Sequence, residues 1–261
     1  MSEMIVVTSG KGGVGKTTVA CFLGAKLAQR GKRCVVCDLD SGLNNLDIVM
    51  GAESKIVYTL SDALEGRCRA SQILVNCPEV KNLYLISSGH TLEKSVTGQR
   101  IKMLFEGLKT RFDYVIFDCP AGIDVGFHRA VSASNRAIVV ITPTLSSLRD
   151  ADKALSLIRS YNIQKINLLI NMARGDLMLT GEMLSVKEIE SLLKTQVIGI
   201  IPQEDDILLS KNCYLDNSTY AGEVFYKLAG SVISGKIKYV NPEKRYKGIA
   251  GSIKRSLKKI I

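Results

Sequence analysis

Gly10-Lys11-Gly12-Gly13-Val14-Gly15-Lys16-Thr17-Thr18 is the stretch that decides how the remainder of this 261-residue sequence is read. An apolar run, Met4-Ile5-Val6-Val7, precedes it, and a helical pattern from Thr17 to Gln29 follows it. Strand, glycine-rich loop and helix in that order form the context in which G-x-x-x-x-G-K-[ST] cradles phosphate. Glycines let successive backbone N–H groups turn inward around an anion with no Cβ in the way. The helix opening at Lys16 aims its free N–H groups and the positive end of its dipole at the same point. Lys16 supplies a point charge to the outer phosphates, and the Thr17 hydroxyl is placed for Mg²⁺. A second lysine, Lys11, stands where the general pattern accepts any residue.

Working outward, the chain reads as one well-buried α/β domain over residues 1–235, a linker over 236–245 and a separate helix over 246–261. Hydrophobic residues make up 46% and charged residues 23%, an ordinary globular balance. No apolar run approaches the length of a membrane span. Met1-Ser2-Glu3 leads straight into a strand, which predicts no secretory signal. The seven cysteines are scattered, and Cys34 and Cys37 fall on opposite faces of one strand, so they read as buried thiols of a cytosolic protein. His90 and His128 have no ligand-spaced neighbours and read as packing or surface residues.

Strands and helices alternate along the chain, which predicts a doubly wound, mainly parallel sheet. A strand from Arg33 to Asp38 delivers Asp38 and Asp40, with Asp47 beyond. Short helices are expected near Leu60–Glu65 and Ser71–Val75, a strand over Leu83–Ile86 and a helix over Gly98–Lys109. Tyr114-Val115-Ile116-Phe117-Asp118 is a continuous apolar run ending in an acid, as a strand buried on both faces should be. Its Asp118 is positioned to hold Mg²⁺ through water, and Pro120-Ala121-Gly122 turns beside it. A strand Ala137–Thr142, a helix Ser147–Tyr161 and a strand Ile166–Asn171 follow, then a looser stretch around Gly175 and Gly181. Ser185-Val186-Lys187-Glu188 is a capping box, Val197–Ile201 a strand and Ala221–Ile233 the last helix of the body.

The charge is unevenly placed. Nine Lys/Arg against one Glu between Lys236 and Ile261 carry +8 of the net +10. Ile249, Ile253, Leu257, Ile260 and Ile261 fall on one face of a helix, with Lys254, Arg255 and Lys258 among the basic residues beside or opposite it. Such a helix is roughly 22 Å long, too short and too charged to span a bilayer, and fits the interface of an anionic membrane. Each basic residue near such a surface contributes about 1 kcal/mol. Against this stand the ordering of a short helix containing Gly248 and Gly251 and the immobilisation of the protein. One copy therefore binds weakly, and two held together gain from effective concentration. A nucleic-acid arm needs charge but no stripe of Ile and Leu, so nucleic acid is not expected as a partner.

Lys11 within Gly-Lys-Gly-Gly-Val-Gly-Lys-Thr-Thr resembles the deviant Walker A loop of the MinD/ParA class of P-loop ATPases. The runs Asp38-x-Asp40-x-Gly42-Leu43-x-Asn45-Leu46-Asp47, Asp118-x-Pro120-Ala121-Gly122 and Ser146-Ser147-x-Arg149-Asp150 resemble its MinD branch, as does the amphipathic C-terminus. That resemblance implies hydrolysis of ATP to ADP and phosphate with Mg²⁺, and a homodimer formed across two ATP molecules. It implies that Gly10 to Thr18 hold the nucleotide and that Lys16 serves its own subunit while Lys11 reaches the partner's ATP. Thr17 and Asp118 would serve Mg²⁺, Asp40 would orient the attacking water, and Asn171 is similar to the residue that reads adenine. A regulatory or effector protein of MinC or MinE type would bind near Asp152, and the protein would be cytoplasmic and peripheral on the inner face of the membrane. Asn44 stands where the branch commonly has Arg. Other readings are a ParA-like or FlhG-like positioning ATPase acting on DNA or a flagellar partner, an iron–sulfur carrier of the same fold, and a nucleotide-dependent scaffold with little turnover. The near-neutral body speaks against DNA binding, and Cys119 and Cys213 supply no paired ligands for a cluster.

Overall fold

The computed structural model describes residues 2–40, 46–89, 96–210, 212–249 and 251–252. Its strands are β1 (Glu3–Thr8), β2 (Cys34–Asp38), β3 (Val75–Asn76), β4 (Leu83–Ile86), β5 (Tyr114–Asp118), β6 (Arg136–Ile141), β7 (Lys165–Ala173) and β8 (Val197–Pro202). They form one sheet in the order β3-β4-β2-β5-β1-β6-β7-β8, parallel except for the antiparallel edge pair β3–β4. The helices are α1 (Lys16–Gln29), α2 (Leu46–Met50), α3 (Leu60–Leu64), α4 (Gly98–Gly107), α5 (Val125–Ala133), α6 (Leu145–Arg159), α7 (Gly175–Thr180), α8 (Val186–Leu193), α9 (Asp205–Leu208) and α10 (Tyr220–Ser234).

Side-chain alternation divides the apolar residues of the central strands between two cores. Val6, Val35, Val115, Phe117 and Val139 pack under α3, α4, α5, α6 and α8. Ile5, Val7, Val36, Ile116 and Ile138 pack under α1, α2 and α10 on the other face. Cys37 lies in the first core and Cys34 in the second, the opposition their spacing required. The first strand after the phosphate loop's own is thus not its neighbour. β5 and β6 flank β1, so the chain reverses direction of travel across the sheet beside the loop, where parallel sheets open a crevice.

Two local expectations are corrected. Residues 71–73 form a turn rather than a helix, and Val75 enters the sheet edge. Ladder bonds to β4, including Cys77 N–H to the Leu83 carbonyl at 3.0 Å, outweigh a helical segment too short to nucleate. The stretch after Gly175 is helix α7, held by packing against the turn at Pro242–Tyr246. Helix α5 was unanticipated: its signal is Asp124, whose carboxylate accepts from the Gly126 N–H. Among the described residues, no helix is long and apolar enough to cross a membrane.

Candidate functional site

Gly15 is the N-cap of α1 and takes φ 88°, a left-handed conformation that a side chain would strain. A Cβ there would also meet the Asn171 carboxamide, whose Nδ2 donates to the Val14 carbonyl at 2.8 Å. At the other end of the loop, a Cβ on Gly10 would collide with the Asp150 carbonyl of α6. The loop is therefore clamped between the end of β7 and the start of α6. Helix α1 has no side-chain cap and no acid in its first turn, so its N–H groups and dipole remain available to an anion.

The loop's two lysines are treated differently by the fold. Lys16 is buried, at 8% exposure, and lies close enough to Asp118 to favour its charge. Lys11 is exposed on the outer side, with its carbonyl accepting from Ser9 Oγ at 2.6 Å.

Asp38 and Asp118 end the adjacent strands β2 and β5, lie opposite one another in register, and are each 2% exposed. Burial pushes Asp118 up to about 7, reinforced by Asp40, while a hydrogen bond from the Thr17 hydroxyl and the charge of Lys16 oppose it. Burial, then the Asp118 charge, push Asp38 up to about 8 against the Asp40 N–H, which donates to Asp38 Oδ1 at 2.8 Å. Asp118 Oδ1 is buried with no hydrogen-bond partner. An oxygen left so is costly unless something else satisfies it.

Mg²⁺ fits these donors. It prefers hard oxygen ligands and keeps most of its shell for water and phosphate, so a hydroxyl and a carboxylate oxygen suffice from the protein. Thr17 and Asp118 supply that pair. No cage of three or more acidic, Cys or His side chains occurs among the described residues, which this mode of binding does not need.

Beside the loop a cleft of about 240 Å³ is lined by Gly15, Thr18, Phe22, Asn171 and Met172. Its far wall runs from Pro202 and Gln203 through Ile207 and Leu208 to Ser210. Met172 adopts φ 55° where the β7–β8 pairing is irregular. A larger hollow, about 740 Å³, opens among Glu3, Arg33, Asp113 and Lys165 at the opposite ends of the strands. Ligands of parallel sheets gather at the carboxyl ends, so size is not the guide here and the smaller cleft is the candidate.

The fold thus gathers Gly10 to Thr18, Asp40, Asp118 and Asn171 at one edge. Asp152 is exposed on α6, on the flank of the loop rather than in it. Residues 41–45, Asn44 with them, lie outside the described residues, as does His90. So do Ile253, Lys254, Arg255, Leu257, Lys258, Ile260 and Ile261, whereas Ile249 is described and 85% exposed. Sequence reading undervalued Asp38, although it ends β2 as Asp118 ends β5. It missed the wall after β8, for which Pro202 at a strand's carboxyl end was the one available signal.

Comparison with known proteins agrees with this fold. The family model for the AAA domain matches residues 2–172. The septum site-determining protein MinD of Synechocystis sp. is 44% identical over 213 residues, covering 81% of this chain and 80% of that one. MinD of Bacillus subtilis (strain 168) is 40% identical over 261 residues, covering 97% of each. The MinC:MinD cell division protein complex of Aquifex aeolicus superposes with a TM-score of 0.84 at 35% identity, covering 92% of this chain and 98% of that one.

Proposed function

This chain belongs to the MinD family, and on that footing we propose that it is a Mg²⁺-dependent ATPase of division-site positioning. It dimerises when it binds ATP and then associates reversibly with an anionic membrane surface, where it places the division site or recruits a partner. The observation that carries this reading is the split between the loop's two lysines. Lys16 is enclosed beside Asp118 and Thr17, where it can hold the phosphates of its own nucleotide, and Lys11 faces outward. An outward lysine on a phosphate loop is placed to reach a nucleotide held by a second subunit.

Further observations support the dimer. Ile123, Val125 and Leu145 are exposed at 41%, 62% and 72% on segments that follow β5 and β6, the strands flanking the loop. Exposed apolar side chains grouped around a charged site are what a nucleotide-gated interface would cover. Within each subunit the loop N–H groups, Lys16 and α1 would orient the phosphates, and Asp40 would hold the attacking water in line. Mg²⁺, when bound, neutralises charge on the transferred phosphoryl oxygens. Asn171 and the cleft beside it would take the base. Reversible membrane attachment rests on residues 246–261, and an effector of the MinC kind found in the Aquifex aeolicus complex would meet α6 near Asp152.

Co-sedimentation with vesicles containing phosphatidylglycerol, in ATP and in ADP, tests the reading. The whole chain should pellet in ATP and stay in solution in ADP, and a chain truncated after Lys247, which keeps the turn that packs on α7, should stay in solution in both. Equal pelleting in the two nucleotides, or unchanged pelleting by the truncated chain, overturns it.

A further inference from the structure

Cys77 and Cys213 stand 136 positions apart in sequence, yet their sulfurs meet at 3.4 Å inside the core under α1. Cys77 leaves the edge strand β3, and Cys213 sits between α9 and α10 in the stretch that continues the far wall of the cleft. Neither thiol serves the phosphate chemistry. Two thiols in contact on separate segments have an outcome that a lone buried cysteine lacks, because they can be joined.

We propose that Cys77 and Cys213 form a redox modification site, at which a peroxide-class oxidant links them as a disulfide that ties the cleft wall to the edge of the sheet. This rests on the reading of that cleft as the nucleotide site only for its effect on nucleotide, not for the disulfide itself. The chemistry balances. The Cys77 thiolate attacks one peroxide oxygen, releasing hydroxide, and becomes a sulfenic acid. The Cys213 sulfur then attacks the Cys77 sulfur and expels that oxygen as water. Two thiols and one hydrogen peroxide give one disulfide and two waters, with the two electrons passing from sulfur to peroxide.

The surroundings favour Cys77 as the attacking sulfur. The hydrogen bond with Cys213 holds it below the ordinary thiol value against the effect of burial, helped by the backbone N–H groups of Glu79 and Val80 and opposed by the Glu79 charge. The same contact, with burial, drives Cys213 the other way. Both residues are buried, but Cys77 is the less enclosed, at 5% exposure against none for Cys213, and it is also the more acidic of the two. Closing the bond requires the sulfurs to approach by about 1.4 Å, from contact to the length of about 2 Å. Cys213 can supply that movement because it lies in no helix or strand. The movement would reach the cleft, since Ser210 lines it and Ser210 Oγ donates to the Asn212 carbonyl. On the far side the Leu215 carbonyl is gripped by Lys26 of α1. A disulfide would therefore fix the wall from both sides, and a stiffer wall should slow exchange of whatever occupies the cleft.

The experiment treats the full chain with hydrogen peroxide and follows intact mass, peptide maps and release of a fluorescent ADP analogue. The expected results are a mass loss of about 2 Da reversed by a phosphine, one cross-linked peptide joining the Cys77 and Cys213 segments, and release slowed about threefold. Cys213→Ser should abolish the link, and Cys21→Ser, which removes the nearest alternative thiol on α1, should leave it intact. A link made to Cys21 or Cys68, or no mass loss while the chain stays folded, overturns the proposal. Unchanged release from the verified disulfide form overturns its effect on the cleft. Failure of the reduced chain to bind the analogue at all would instead sink the nucleotide reading, leaving the mass result to stand by itself.

Discussion

Helix α1 carries a buried lysine near each end, and the two are opposites. Lys26 is fully enclosed, and its ammonium reaches Gln29 Oε1 at 3.0 Å, Asn217 Oδ1 at 2.7 Å and the Leu215 carbonyl. All three of its donors are used. Lys16 is nearly as buried but has no hydrogen-bond acceptor among the described residues, and it faces an acid that itself lacks a partner on Oδ1. A buried charge that is completely satisfied holds a fold together, whereas incomplete neighbours of opposite sign hold a place for something else. Burial alone would have scored the two lysines alike.

The contrast can be broken by substitution. Lys16→Ala should weaken binding of a fluorescent ATP analogue by about 100-fold or more, the loss of about 3 kcal/mol of charge-assisted bonding, with little change in ligand-free melting. Retained affinity would make Lys16 a structural residue like Lys26. Lys26→Met should do the reverse, lowering the free energy of urea unfolding by about 2–4 kcal/mol by stranding the Leu215 carbonyl and Asn217, with affinity for the analogue within about twofold.

The carboxylates sharpen the same point through pH. Asp38 and Asp118 have folded values of about 8 and about 7 against an ordinary 3.8. Between those limits the native state binds more protons than the unfolded one, so the stability they allow is complete below the unfolded value and is lost as pH rises through the folded values. Ligand-free chain should therefore unfold at lower urea at pH 8 than at pH 5, by about 1–2 kcal/mol. Asp118→Asn should flatten that slope below about pH 7, where both acids contribute, and also remove the Mg²⁺ dependence of nucleotide binding. A stability that rises with pH over this window would contradict the burial argument. The smallest effect is expected of Asn171→Ala, which removes one bond to the loop at Val14 and should weaken the analogue by about fivefold, roughly 1 kcal/mol. An unchanged affinity would show that the loop holds its shape without β7.

Legibility in the sequence followed locality. The phosphate loop, α1 and the acid-tipped strand β5 were readable because a strand, a glycine turn and a helix start are each written in consecutive residues. The Ser185 capping box was readable for the same reason, and both of its reciprocal bonds are present. Edge strand β3 was not, because two residues become a strand only when β4 offers its carbonyls. Helix α7 is not legible locally, because its end glycines suggest a loop and the close approach of Gly175 to the Pro242 carbonyl involves another part of the chain.

By itself, then, the sequence determined that this chain carries a phosphate-loop pattern at Gly10–Thr17 between a strand and a helix, that Asp118 stands at a strand's end, and that charge collects beyond Lys236. Those features depend on neighbours along the chain, and spacing encodes them. Only the tertiary structure decided that Lys16 is enclosed while Lys11 looks outward, and that Asp118 raises the proton affinity of Asp38 across paired strands. It alone brought Cys77 against Cys213 and made the wall after β8 half of the cleft. Each of these is set by burial and by distances between remote segments, quantities that exist only once the chain has folded.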